Sequence, residues 1–65
     1  MDKTIVRMEY GGVVVEGVNL YGGAPLPDVY RVTFDGLNEE GLEFTPREYD
    51  RLVEVLRAAR LAPPA

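Results

Sequence analysis

Hydrophobic and polar side chains alternate singly along the first part of this chain and switch to helical spacing near its end. In residues 3–10, Val6, Met8 and Tyr10 fall on one side of an extended segment, with Ile5, Arg7 and Glu9 on the other. Gly11 and Gly12 follow, two positions free to take the positive φ that a type I′ hairpin turn requires. A second strand over about 13–20 then closes a hairpin in a defined register. Tyr10 faces Val13, Met8 faces Val15 and Val6 faces Gly17 on the core side, while Glu9 faces Val14, Arg7 faces Glu16 and Ile5 faces Val18 on the other. Gly17 within a strand marks either a bulge or a close approach of the helix.

A third strand over about 29–35 places Tyr30, Val32 and Phe34 inward and Val29, Arg31 and Thr33 outward. The glycine- and proline-rich stretch 21–28 before it reads as a loop, and the acidic stretch 35–41 after it as a turn. A short fourth strand, 42–44, turns Leu42 and Phe44 inward and leads to a helix over about 46–61. Thr45 is the N-cap, Pro46 the first helical residue, and Glu48 sits three residues beyond the cap to complete a capping box. Phe44 and Tyr49 are spaced as a hydrophobic staple. Tyr49, Leu52, Val53, Leu56 and Ala59 form one apolar stripe, with Val55 at its margin and Arg47, Asp50, Arg51, Glu54 and Arg57 opposite. The expected fold is α+β: a single domain, 1–65, with a four-stranded antiparallel sheet and one C-terminal amphipathic helix packed on one face.

Composition narrows the function. The chain has 65 residues, near the lower size for a domain that folds unaided, and it has neither Cys nor His. Disulfides and a Cys/His zinc site are therefore excluded, which leaves self-association, most simply a homodimer, as the expected support. With no Ser either, the usual nucleophiles and the usual general base are missing, so a non-enzymatic protein without cofactor is expected. No apolar run reaches membrane-spanning length and no signal peptide is visible, pointing to a cytoplasmic protein.

Charge is uneven. Residues 1–45 carry three basic and eight acidic side chains, whereas residues 46–61 carry four and three. The arginines of the helix are interleaved with acids and read as a solvated face. The acidic turn lacks the alternating ligands of a calcium loop, and the paired glycines lack phosphate-loop spacing and lead into no helix.

One helix cannot cover both faces of a sheet. The face turned away from it carries Ile5, Arg7, Val14, Glu16, Val18, Val29 and Arg31, and these are the candidate partner-binding residues. Its acidity suits a protein partner with a basic surface.

Residues 41–52, Gly-Leu-Glu-Phe-Thr-Pro-Arg-Glu-Tyr-Asp-Arg-Leu, resemble the last strand and helix start of the positive-cofactor-four family of transcriptional coactivators. The resemblance implies a dimer of curved sheets that grips single-stranded DNA, with basic and aromatic residues spread over the sheet. Lys3, Arg7 and Arg31 would then meet phosphates. Binding to such a strand requires a positive groove and stacking rings. With a balance of −5 over residues 1–45, the leading expectation is a regulatory homodimer that binds another protein through the open sheet face, and single-stranded nucleic-acid binding is the alternative.

Overall fold

A computed structural model describes residues 2–21, 25–36 and 38–63. The chain runs β1 (Lys3–Tyr10), β2 (Val13–Asn19), β3 (Val29–Phe34), β4 (Asn38–Phe44) and α1 (Pro46–Leu61). The four strands form one antiparallel meander in the order β1-β2-β3-β4, so the fold is α+β with its single helix last.

The first hairpin has the register that the two glycines dictate. Gly11 and Gly12 take φ of 58° and 83°, the values at which a side chain is disfavoured and a type I′ turn closes. Tyr10 lies opposite Val13, Met8 opposite Val15, Val6 opposite Gly17, Glu9 opposite Val14 and Arg7 opposite Glu16. The register then departs from expectation. Thr4, not Ile5, pairs with Val18, because a β-bulge between Thr4 and Val6 leaves Ile5 as an extra residue in β1. The irregularity expected from Gly17 thus falls on the neighbouring strand.

Gly17 has another reason to be glycine. A Cβ placed there would lie 2.7 Å from Val6 Cγ1 and 2.8 Å from Pro27 Cγ. The segment before β3, rather than the helix, makes the close approach. Asn19 fastens it: the buried side-chain amide donates to the Leu26 carbonyl at 3.2 Å and accepts the Tyr21 N–H at 3.1 Å. Asp28 adds a carboxylate oxygen 2.9 Å from the Leu20 N–H, and its own N–H donates to the Val18 carbonyl. The expected loop 21–28 is described in part, since residues 22–24 lie outside the described residues.

The fourth strand is longer than the expected 42–44. It begins at Asn38 and contains a bulge, since Val32 pairs with Leu42 but Phe34 with Asn38. Gly41 makes the bulge possible: its φ is 82°, and a Cβ would come within 2.9 Å of Arg31 Cγ. A run of Asn, two Glu and Gly reads as a turn because it offers no apolar alternation, yet backbone pairing to β3 carries it into the sheet.

The helix starts as its capping residues require. The Thr45 hydroxyl accepts the Glu48 N–H at 3.2 Å, and the Glu48 carboxylate accepts the Thr45 N–H at 2.9 Å. Those bonds hold the Glu48 carboxyl below its ordinary value, first through the Thr45 backbone N–H and then its side chain. The contribution of the box is therefore full above the ordinary glutamate range and is lost as pH falls through the lowered value. Tyr49 stacks on Tyr30, with ring centroids 4.2 Å apart and planes within 10°.

Packing of this helix departs from the expected arrangement. It lies closest to β3 and β4; among the described residues no Cα of β1 or β2 comes within 8 Å of a helix Cα. Val6, Met8 and Tyr10, expected in the core, are exposed, Tyr10 at 91% and Met8 at 68%. Among the described residues the buried apolar side chains are Val18 and Val32, and no helix residue is buried. The dimensions agree. The chain exposes 5448 Å², about 1,300 Å² more than a compact globule of its mass. Its radius of gyration is 13.4 Å, against about 11 Å expected for 65 residues.

Replacing Gly17 with Ala forces a methyl group against Val6 and the rigid Pro27 ring, and is expected to lower stability by about 1–3 kcal/mol. Urea denaturation reads this directly; an unchanged midpoint would contradict the close packing.

Candidate functional site

The two faces of the sheet differ in kind, and strand pairing creates the difference. On the face away from α1, one row of side chains crosses all four strands: Arg7 on β1 pairs with Glu16 on β2, Glu16 with Arg31 on β3, and Arg31 with Glu43 on β4. Alternating charges on adjacent strands favour this register over a slipped one. Arg31 Nη2 and Nε donate to the same Glu43 oxygen at 2.6 and 3.1 Å. The Arg31 guanidinium is held above its ordinary value, first by that hydrogen bond, with burial opposing and the charges of Glu43, Glu16 and Asp2 adding to it. Arg7 pairs with Glu16 through the backbone ladder, but its guanidinium turns along its own strand to Glu9, at 2.9 Å.

Two shallow depressions flank this row. Glu16, Arg31, Thr33, Glu40 and Glu43 line one of about 590 Å³. Arg7, Glu9, Val14, Thr33 and Asp35 line another of about 350 Å³. The row itself is neutral, with two arginines against two glutamates. Glu9, Asp35 and Glu40 then leave the face with a net balance of −3. Both arginines are already bonded to carboxylates.

Of the seven residues expected to form a partner surface, the structure brings Arg7, Glu16 and Arg31 into this row, with half-buried Val14 beside it. Val18 does not belong there. It is 1% exposed, enclosed at the bulged end between Thr4 and Val29 on the two neighbouring strands. Val29 is half-buried beside it, and Ile5 is the bulged residue, 38% exposed. The apolar members of the expected surface thus gather at one end, and what remains open is mostly charged. Lys3, Arg7 and Arg31, the candidate phosphate contacts, share no cluster: Lys3 pairs with Asn19 at the far end of β1.

The apolar surface lies on the other face. Between α1 and the sheet runs a cleft of about 470 Å³ lined by Val13, Val15, Val32, Phe34, Leu42, Phe44, Tyr49, Leu52, Val53 and Leu56. Met8 and Tyr10 continue it onto β1. Alternation in β1 and β2 showed which residues face this side; it could not show that the helix would stop halfway across. The rings are divided as well. At least three of the four tyrosines read as core residues, whereas only Tyr30 and Tyr49 are packed and Tyr10 and Tyr21 are exposed.

No helix among the described residues is long and apolar enough to cross a membrane. No family model, curated protein or solved structure matches the chain.

The ion pairs and the buried valine should contribute very differently to stability. Glu43→Gln is expected to cost about 0–1 kcal/mol, as for other solvent-exposed pairs. Val18→Ala is expected to cost about 1–3 kcal/mol from lost burial and the cavity left behind. Denaturation curves of the two variants check the ranking, and a reversed order would contradict it.

Proposed function

We propose that this chain is a small non-enzymatic regulatory module, homodimeric, that binds a basic protein surface through the outer face of its sheet. The observation that carries this reading is the state of the two arginines. Arg7 is bonded to Glu9 and Arg31 to Glu43, while Glu40 and Asp35 stand in the same depressions without an ion pair among the described residues. Such a face attracts cations and repels phosphates, and charge complementarity governs which partner it meets and how fast. The shallow, polar depressions suit a flat protein contact better than an enclosed small-molecule pocket. Homodimerisation is supported by the excess exposed surface.

The second reading is single-stranded nucleic-acid binding in the manner suggested by residues 41–52. The exposed rings of Tyr10 and Tyr21 favour it, since stacking platforms are half of what it needs. The other half, a positive groove, is opposed by the same ion pairs and by the surrounding carboxylates.

Fluorescence anisotropy separates the two. A labelled peptide rich in Lys and Arg is expected to bind at low salt and to weaken severalfold when Asp35→Asn and Glu40→Gln are combined, whereas a labelled single-stranded oligonucleotide is expected not to bind. Submicromolar, steeply salt-dependent binding of the oligonucleotide would overturn the protein-binding reading. So would peptide affinity indifferent to the two substitutions.

A further inference from the structure

A sheet of four strands spaced about 4.8 Å apart presents a surface roughly 19 Å wide. A helix with its side chains covers about 10 Å. Two helices side by side are therefore needed to cover one face, and this chain supplies one. Helix α1 occupies the β3–β4 half. On the β1–β2 half Met8 and Tyr10 are exposed and Val13 and Val15 half-buried, and α1 itself turns Leu56, 58% exposed, and Val53 toward the open cleft.

We infer that the second copy of this chain seats its α1 on the β1–β2 half, with its own β1–β2 half receiving α1 of the first copy. The inference rests on the homodimer proposed above and specifies the surface and the arrangement. Each copy offers one thinly covered strand pair and one helix with an exposed apolar flank, so a two-fold axis satisfies both at once, as an isologous interface requires. The lengths agree: the 16 residues of α1 span about 24 Å, and the eight of β1 about 26 Å. The area agrees too. Removing the excess of about 1,300 Å² from each copy gives an interface of roughly 2,600 Å², within the range of obligate homodimers. Pairing through the free edge of β1 is the poorer arrangement, because that edge carries a bulge at Ile5 and the charges of Lys3, Arg7 and Glu9, features that blunt strand edges. It would also leave the cleft open.

The test uses the full chain, which has no cysteine, so single thiols can be introduced without interference. Sedimentation gives the mass of the wild type. Met8→Cys and Leu56→Cys variants are then mixed under mild oxidation, with an Arg7→Cys and Leu56→Cys mixture as the control from the opposite face. Tyr10→Cys with Val53→Cys replaces the first pair if either of its members loses the wild-type circular dichroism spectrum. The expected result is a dimeric mass and mixed cross-linking about tenfold or more faster than the control, since seated copies raise the effective thiol concentration. A dimeric mass with cross-linking no faster than the control would overturn this arrangement and leave the homodimer standing. A monomeric mass at micromolar concentration would overturn both, and would assign the cleft to a helix from another protein.

Discussion

The width of the sheet against the width of a single helix is the constraint on which this structure turns. A four-stranded meander has two faces and one helix with which to cover them. Capping at Thr45 fixes where α1 begins, directly after β4, and the stack of Tyr49 on Tyr30 draws its first turn over β3. From that start the helix runs along the β3–β4 half. The thinly covered half at β1–β2, the enlarged surface and the long radius of gyration agree with this geometric shortfall.

The two faces consequently divide the work. The outer face is polar: both its arginines are bonded to carboxylates, and the row Arg7, Glu16, Arg31, Glu43 places opposite charges on neighbouring strands without asking for a partner to bury it. It remains free to meet solvent or a surface of opposite charge. The helix side is the reverse, apolar and half covered, with exposed Met8, Tyr10, Leu42 and Leu56 that water solvates poorly. The proposed assembly uses the apolar face and the proposed recognition the charged one, an arrangement in which a dimer would carry two identical recognition faces.

Much of this was legible in the sequence where local chemistry decides the outcome. The paired glycines and the Arg7–Glu16 match specified the first hairpin, and the capping box specified the helix to its first residue. Non-local packing was not legible. The bulge at Ile5 shows only in the pairing of β1 with β2, where Thr4 meets Val18 and Val6 meets Gly17. The early start of β4 depends on a bulge at Gly41 that only the pairing partner reveals. Alternation assigned Val18 to the outer face but could not show that this end of the sheet is enclosed. The residue pattern says which side is apolar, whereas only the position of the helix says how much of that side stays open.

The proposed dimer couples folding to association, because in it a second copy completes the half-covered cleft. The most direct measurement is the denaturant midpoint as a function of protein concentration. A chain whose native state is a dimer is stabilised by mass action, so its midpoint rises as the protein is concentrated. That rise, across about a hundredfold range of concentration, is the predicted result. A midpoint that stays constant over the same range would show that one copy folds fully by itself, and would contradict the claim that the sheet needs a second helix.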